Sequence, residues 1–247
     1  YGWRLALLIG ALIVPFAIWV RKSLRETLHK APEPDETENA TIGDYRRVIV
    51  LGAVMIGSGT ISTYMFNYMA TFGQHTLHFS PQTSLFAQFG LNFSAFVAIV
   101  WGGWASDRWG RRKLMIVPQL IFVLALVPVF LWITTSLSAF AFIAGTLMLS
   151  GIGCTRDAAV YTAINESLPR AVRARAFALV YSIPVAVLGG TTQPFIAWLL
   201  QVTGNPLSIA IYLAGVSTVG LTAMLLMRES SPRHRLSPPQ IGEPVPL

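Results

Sequence analysis

Arg156 and Asp157 lie side by side in an otherwise long apolar stretch of the 247-residue chain. Ionisable side chains inside a bilayer are costly and mark substrate, ion or proton pathways by default. The forked donors of Arg156 suit a substrate carboxylate. The other reading is a structural pair with Asp157 or with an acid of another helix. Asp157 is the candidate proton carrier. At 3.6 residues per turn the two project about 100° apart and need not share a face. Asp157, Tyr161 and Asn165 fall at i, i+4 and i+8, and Cys154 and Ser150 extend the stripe. A polar stripe on a buried helix predicts a water-filled cavity.

Further polar residues could line that cavity. Tyr64, Asn67, Tyr68 and Thr71 share one helical face at i, i+3, i+4 and i+7. The face reads equally as cavity wall or as packing. Gln88 and Asn92 offer amides one turn apart, and Gln193 precedes Pro194. Pro184 and Pro194 should free the Val180 and Gly190 carbonyls, so kinks are expected there and at Pro118 and Pro128. His75 and His78 could titrate near the outer face. The single cysteine, Cys154, excludes an intrachain disulfide. No phosphate loop, His/Cys metal cluster or nucleophile–base arrangement is visible, so neither catalysis nor a cofactor is expected.

The elements that position these residues follow from where charge is absent. Charged residues are 12% of the chain, about half the soluble share. Residues 48–106, 114–155 and 176–227 contain no Asp, Glu, Lys or Arg, which leaves 153 of 247 positions uncharged in three blocks. A bilayer span needs roughly 20 apolar residues, so each block holds two spans and a turn. The turns are expected at Phe79-Ser80-Pro81, Thr134-Thr135-Ser136 and Thr203-Gly204-Asn205-Pro206. The resulting fold class is all-α, a polytopic membrane protein of about seven helices, over 2–20, 47–73, 83–104, 114–134, 138–166, 173–201 and 206–227. The domain reading places a first helix in 1–21, a polar loop in 22–46, six helices in 47–227 and a tail in 228–247.

Sixteen of the eighteen Lys and Arg residues lie in alternate loops and the tail, and the intervening loops hold none. By the positive-inside rule the basic loops and the C-terminus face the cytoplasm. The exceptions are Arg4 and Arg156. The net charge of +7 therefore faces anionic lipid rather than nucleic acid.

The stretch Gly103, Asp107, Arg108, Gly110, Arg111, Arg112, Lys113 resembles the G-x-x-x-D-R-x-G-R-R-K signature of the major facilitator superfamily. The resemblance implies that these residues act in an inner gate as well as anchoring the loop. Residues 19–27 resemble the end of helix six of the metabolite:proton symporter family. Residues 64–72 resemble its helix seven, although Ala70 and Phe72 depart from the pattern. Glu166, Pro169 and Arg173 resemble the join of helices ten and eleven. Gly189 to Pro194, with 203–206, resembles the citrate and related organic-acid members.

The seven spans would then be helices six to twelve of a twelve-helix transporter in the bacterial inner membrane, with helices one to five missing. Glu166 and Asp107 would pair with Arg108, Arg111 and Arg173 in one transport state. The implied activity is proton-coupled symport of a small organic acid by alternating access. The partners would be a small anionic substrate, protons, the bilayer and the missing helices. The rivals are the same fold carrying an osmolyte or drug-like compound, a channel, and a non-transporting fragment.

Overall fold

Helix ends are set by a few local devices. Ser80 caps one helix: its Oγ accepts the Thr83 N–H at 3.2 Å, and Pro81 follows at the first helical position. Gly204 ends another in the left-handed region, at φ 60. Gly110, at φ 98 and ψ 148, is the whole connection between two long helices. Only glycine adopts that conformation without strain.

The computed structural model describes residues 11, 13–23 and 45–227. The helices are α1 (Ile13–Ser23), α2 (Arg46–His75), α3 (Pro81–Trp109), α4 (Arg111–Ser136), α5 (Ala139–Thr155), α6 (Asp157–Glu166), α7 (Arg170–Pro184), α8 (Gly190–Thr203) and α9 (Leu207–Leu226). A π turn, Val185–Gly189, joins α7 to α8. The chain divides into two units, Tyr1–Asn39 and Ala40–Leu247. The described part of the first unit is α1 with residue 11; the second holds α2–α9. Arg4, residues 24–44 of the expected loop and the tail 228–247 lie outside the described residues.

Six helices among the described residues are long and apolar enough to cross a membrane: Arg46–His75, Pro81–Trp109, Arg111–Ser136, Ala139–Glu166, Val172–Thr203 and Leu207–Leu226. With α1 they match the expected all-α class of about seven helices. Three boundaries differ from expectation. The basic signature is not a loop, because α3 runs to Trp109 and α4 begins at Arg111. Helical backbone satisfies its own hydrogen bonds, so the helices extend into the signature and the charges ride on their ends. The span expected over 138–166 is interrupted at Arg156, and the one over 173–201 contains the π turn.

Within the second unit α3 packs along α5, α9 along α4 and α2, and α2 along α7. The core is split. One apolar cluster centres on Phe66, Phe72, Phe122, Phe130 and Phe142. The other centres on Met55, Met115, Ala163, Ile164 and Met224.

Candidate functional site

A layer of buried polar residues separates the two apolar clusters. Along α2 the clusters end at Ile61 and Ile56, and Ser58 and Thr60 lie between them. Along α4 they end at Phe122 and Met115, with Gln119 between. On α5 and α6 they end at Leu149 and Ala159, with Ser150, Thr155 and Arg156 between. On α9 they end at Leu213 and Ala223, with Ser217 between. These positions fall near the middle of their spans, the depth at which an unpaired polar group costs most.

Each member therefore has a partner to account for. The Ser150 hydroxyl donates to the Leu91 carbonyl at 2.9 Å, Ser94 donates to Leu147 at 2.9 Å, and Gln119 donates to Ser217 O at 2.7 Å. These bonds tie α5 to α3 and α4 to α9. Gln119 Oε1, Ser217 Oγ and Arg156 Nη1 are buried without a hydrogen-bond partner. Ser150 thus serves helix packing and does not extend a cavity stripe.

Arg156 is the cation of this layer. It is 2% exposed and occupies the break between α5 and α6. The ladder is already disturbed there: its N–H bonds Cys154 O. At the same point α5 presses on α3 so closely that a Cβ on Gly102 would lie 2.1 Å from Thr155 O. The guanidinium stands 5.5 Å from the Phe122 ring centre, and its Nε is 3.5 Å from Asp157 Oδ1. A Cβ on Gly59 of α2 would come 3.8 Å from its Nη2. Arg156 is therefore packed inside its own bundle, beside Asp157, whose side chain is 19% exposed.

The other sequence-proposed residues spread along this side and beyond it. Tyr161 is exposed and packs edge-on against Phe177 and near Tyr181. Asn165 donates to Tyr161 O at 3.0 Å on its own helix. On α2, Asn67 and Thr71 are exposed and Tyr64 and Tyr68 half-buried, opposite the fully buried Met65, Met69 and Phe72. The Tyr64 ring lies against Gly189 of the π turn, where a Cβ would be 2.7 Å away. Gln193 is half-buried on α8. Asn92 is exposed and donates to Gln88 O at 3.0 Å, while Gln88 Oε1 is buried and unpartnered.

At the far end of α3, Arg111 collects the charges. Its Nη1 meets Asp107 Oδ1 at 2.5 Å and Ser106 Oγ at 2.6 Å. Its Nη2 and Nε bond Glu166 at 3.0 and 3.4 Å. Arg108 and Arg173, expected with these carboxylates, are placed elsewhere. Arg108 stacks over Trp104 at 5.5 Å, and Arg173 donates twice to Leu168 O, at 3.0 and 2.9 Å. Arg112 donates to Leu225 O at 3.1 Å, Lys113 is exposed, and a Cβ on Gly103 would meet only Ala158, at 3.7 Å. Ser106 was missed as a member. Its spacing of five from Arg111 carries no helical signal, and only the break at Gly110 brings the two together. Among the described residues no group of His, Cys, Asp and Glu could hold a metal ion.

Residues 86–247 match the Major Facilitator Superfamily. The chain is 31% identical over 237 residues to a citrate-proton symporter of Salmonella typhi, covering 93% of this chain and 55% of that protein. It is 30% identical over 228 residues to a citrate-proton symporter of Klebsiella pneumoniae, covering 90% and 51%. To a proline/betaine transporter of Escherichia coli K12 it is 27% identical over 252 residues, covering 94% and 49%. The chain spans about half the length of the curated relatives it matches.

Proposed function

The chain belongs to the Major Facilitator Superfamily, and from that premise we propose that it forms the C-terminal part of a proton-coupled symporter for a small organic acid. Its partner would be a preceding set of helices in the same polypeptide, and the two halves would rock about a site at mid-membrane depth. The basic helix ends and the C-terminus would face the cytoplasm of a bacterial cell.

The observation that carries the organic-acid reading is Arg156. It is a fully buried cation at mid-span, with one carboxylate neighbour at 3.5 Å and an Nη1 that bonds nothing. A buried Arg without full pairing is expensive, and a substrate carboxylate would complete its donors. The break between α5 and α6 gives a joint at which the guanidinium can turn toward the cleft as the halves move. Asp157 would carry the proton. Arg111 with Asp107 and Glu166 would latch the cytoplasmic end closed in one state. The higher identity to citrate-proton symporters than to proline/betaine transporters supports the same reading.

The matches to proline/betaine transporters support a second reading, a zwitterionic osmolyte as cargo. Such a cargo also carries a carboxylate for Arg156. Uptake of radiolabelled citrate and of radiolabelled betaine by the full-length protein, with and without a proton gradient, separates the two. Gradient-driven citrate accumulation supports the first reading, and betaine accumulation alone overturns it.

A further inference from the structure

A groove of about 650 Å³ opens on the surface between α3, α4 and α5, and its inner lining reaches Thr155, the residue before Arg156. Its walls are Trp101 and Trp109 on α3 and Val117 and Ile121 on α4. All four are 47–53% exposed. Arg108 and Lys113 stand at one end.

The two walls have the same construction. On α4, Lys113, Val117 and Ile121 are spaced by four, so one stripe runs from the cation down the helix for about 12 Å. On α3, Arg108 and Trp109 lead back over two turns to Trp101, again about 12 Å. Gly110 alone joins the helices, so Arg108 and Lys113 both fall within one turn of it, at one level of the fold. That level is the edge of the bilayer, because residues 107–113 separate two charge-free blocks. Trp101 and Trp104 each pack edge-on to Trp109, at 6.0 and 6.2 Å, in the interfacial setting that tryptophan favours.

The cations are available. Among the described residues neither Arg108, which lies over the Trp104 ring, nor the exposed Lys113 forms an ion pair, and the neighbouring Asp107 pairs with Arg111. A soluble anion would use these two groups and leave the apolar walls bare. Hydrocarbon alone would cover the walls and leave the cations without a phosphate. We propose that the groove seats one anionic phospholipid, its phosphate between Arg108 and Lys113 and an acyl chain lying along Val117 and Ile121 against Trp101.

The test is retention of phosphatidylglycerol against phosphatidylcholine of the same chains by the purified full-length protein, counted by native mass spectrometry. Phosphatidylglycerol is retained preferentially. Removing both cations in Arg108→Gln/Lys113→Gln lowers its retention about thirtyfold, two surface cations acting together. Val117→Trp fills the groove, keeps the cations and also lowers retention. Leu124→Trp, on an exposed position outside the groove, leaves retention unchanged. Millimolar inorganic phosphate does not displace the lipid. Equal retention of the two lipids overturns the proposal. So does unchanged retention in the double variant or in Val117→Trp, displacement by inorganic phosphate, or a dimer that sheds lipid as it forms.

Discussion

Arg111 and Glu166, 55 residues apart, share two hydrogen bonds, from Nη2 at 3.0 Å and from Nε at 3.4 Å. The first residue of α4 is thereby fastened to the last residue of α6, and Asp107 of α3 joins through Nη1. Three helix ends meet on one guanidinium whose side chain is 10% exposed.

Glu166→Gln should loosen this junction. The amide keeps one hydrogen bond and loses the charge, at about 1 kcal/mol for a partly exposed pair. That raises the population with this end open about fivefold. A cysteine at Ala158, placed in a Cys154→Ser full-length background, reports on it by its rate of alkylation. Equal rates with and without Glu166→Gln would refute the latch.

Arg156 and Asp157 can be separated by pairing their substitutions. Arg156→Ala abolishes uptake, but it also strands a poorly exposed carboxylate, a folding defect in its own right. Arg156→Ala/Asp157→Asn removes both charges. Restored membrane levels without restored uptake show that the pair does more than hold the fold. Restored uptake in the double variant would reduce the pair to structure. Arg156→Lys, which keeps charge but not the fork, should raise KM at least tenfold.

Gly102 and Gly103 are neighbours with opposite tolerance. A Cβ at Gly102 meets the main-chain oxygen of Thr155 at 2.1 Å, whereas at Gly103 the nearest atom is the Ala158 methyl at 3.7 Å. Gly102→Ala should cost about 1–3 kcal/mol by overpacking, and Gly103→Ala should leave the thermal midpoint unchanged. Similar midpoints for the two variants would contradict this contact.

Gln119 gives a contrast within the polar layer. Its Oε1 bonds nothing, so Gln119→Met removes a buried orphan acceptor at similar volume. Thermal stability should change by less than about 1 kcal/mol. Phe122→Ala, one turn away in the packed cluster, should lose about 3–5 kcal/mol. A larger loss from Gln119→Met than from Phe122→Ala would mean that the amide, not the ring, holds this level together.

The spans were legible because the bilayer imposes a length and excludes charge, and both requirements act on single residues. Residues 48–106 show this: one uncharged block became α2 and α3. The interruption at Arg156 was not legible, since no proline stands there and the close contact of α5 with α3 at Gly102, which coincides with the break, is tertiary. Asp107 and Glu166 are grouped with the arginines by side of the membrane, which does not say that Arg111 is the one that takes both. Ser150 read as part of a cavity stripe because periodicity shows which residues share a face but not what lies opposite. Arg173 and Arg108 were assigned to the carboxylates by side of the membrane, and their actual partners, a carbonyl and an indole, leave no trace in charge counting.

The π turn at Val185–Gly189 bonds i to i+5 and so spends one residue more than an α-helical turn. That surplus residue acts as an insertion absorbed without a loop. It offsets every face of α8 by about 100° from the faces that α7 would have projected. Deleting one residue from Val185–Gly189 would let the ladder run straight and swing Gln193 to a different side of the helix, while the length of the span hardly changed. The side of α8 turned toward α2 is thus fixed by a count of residues, which no substitution within α8 itself can alter.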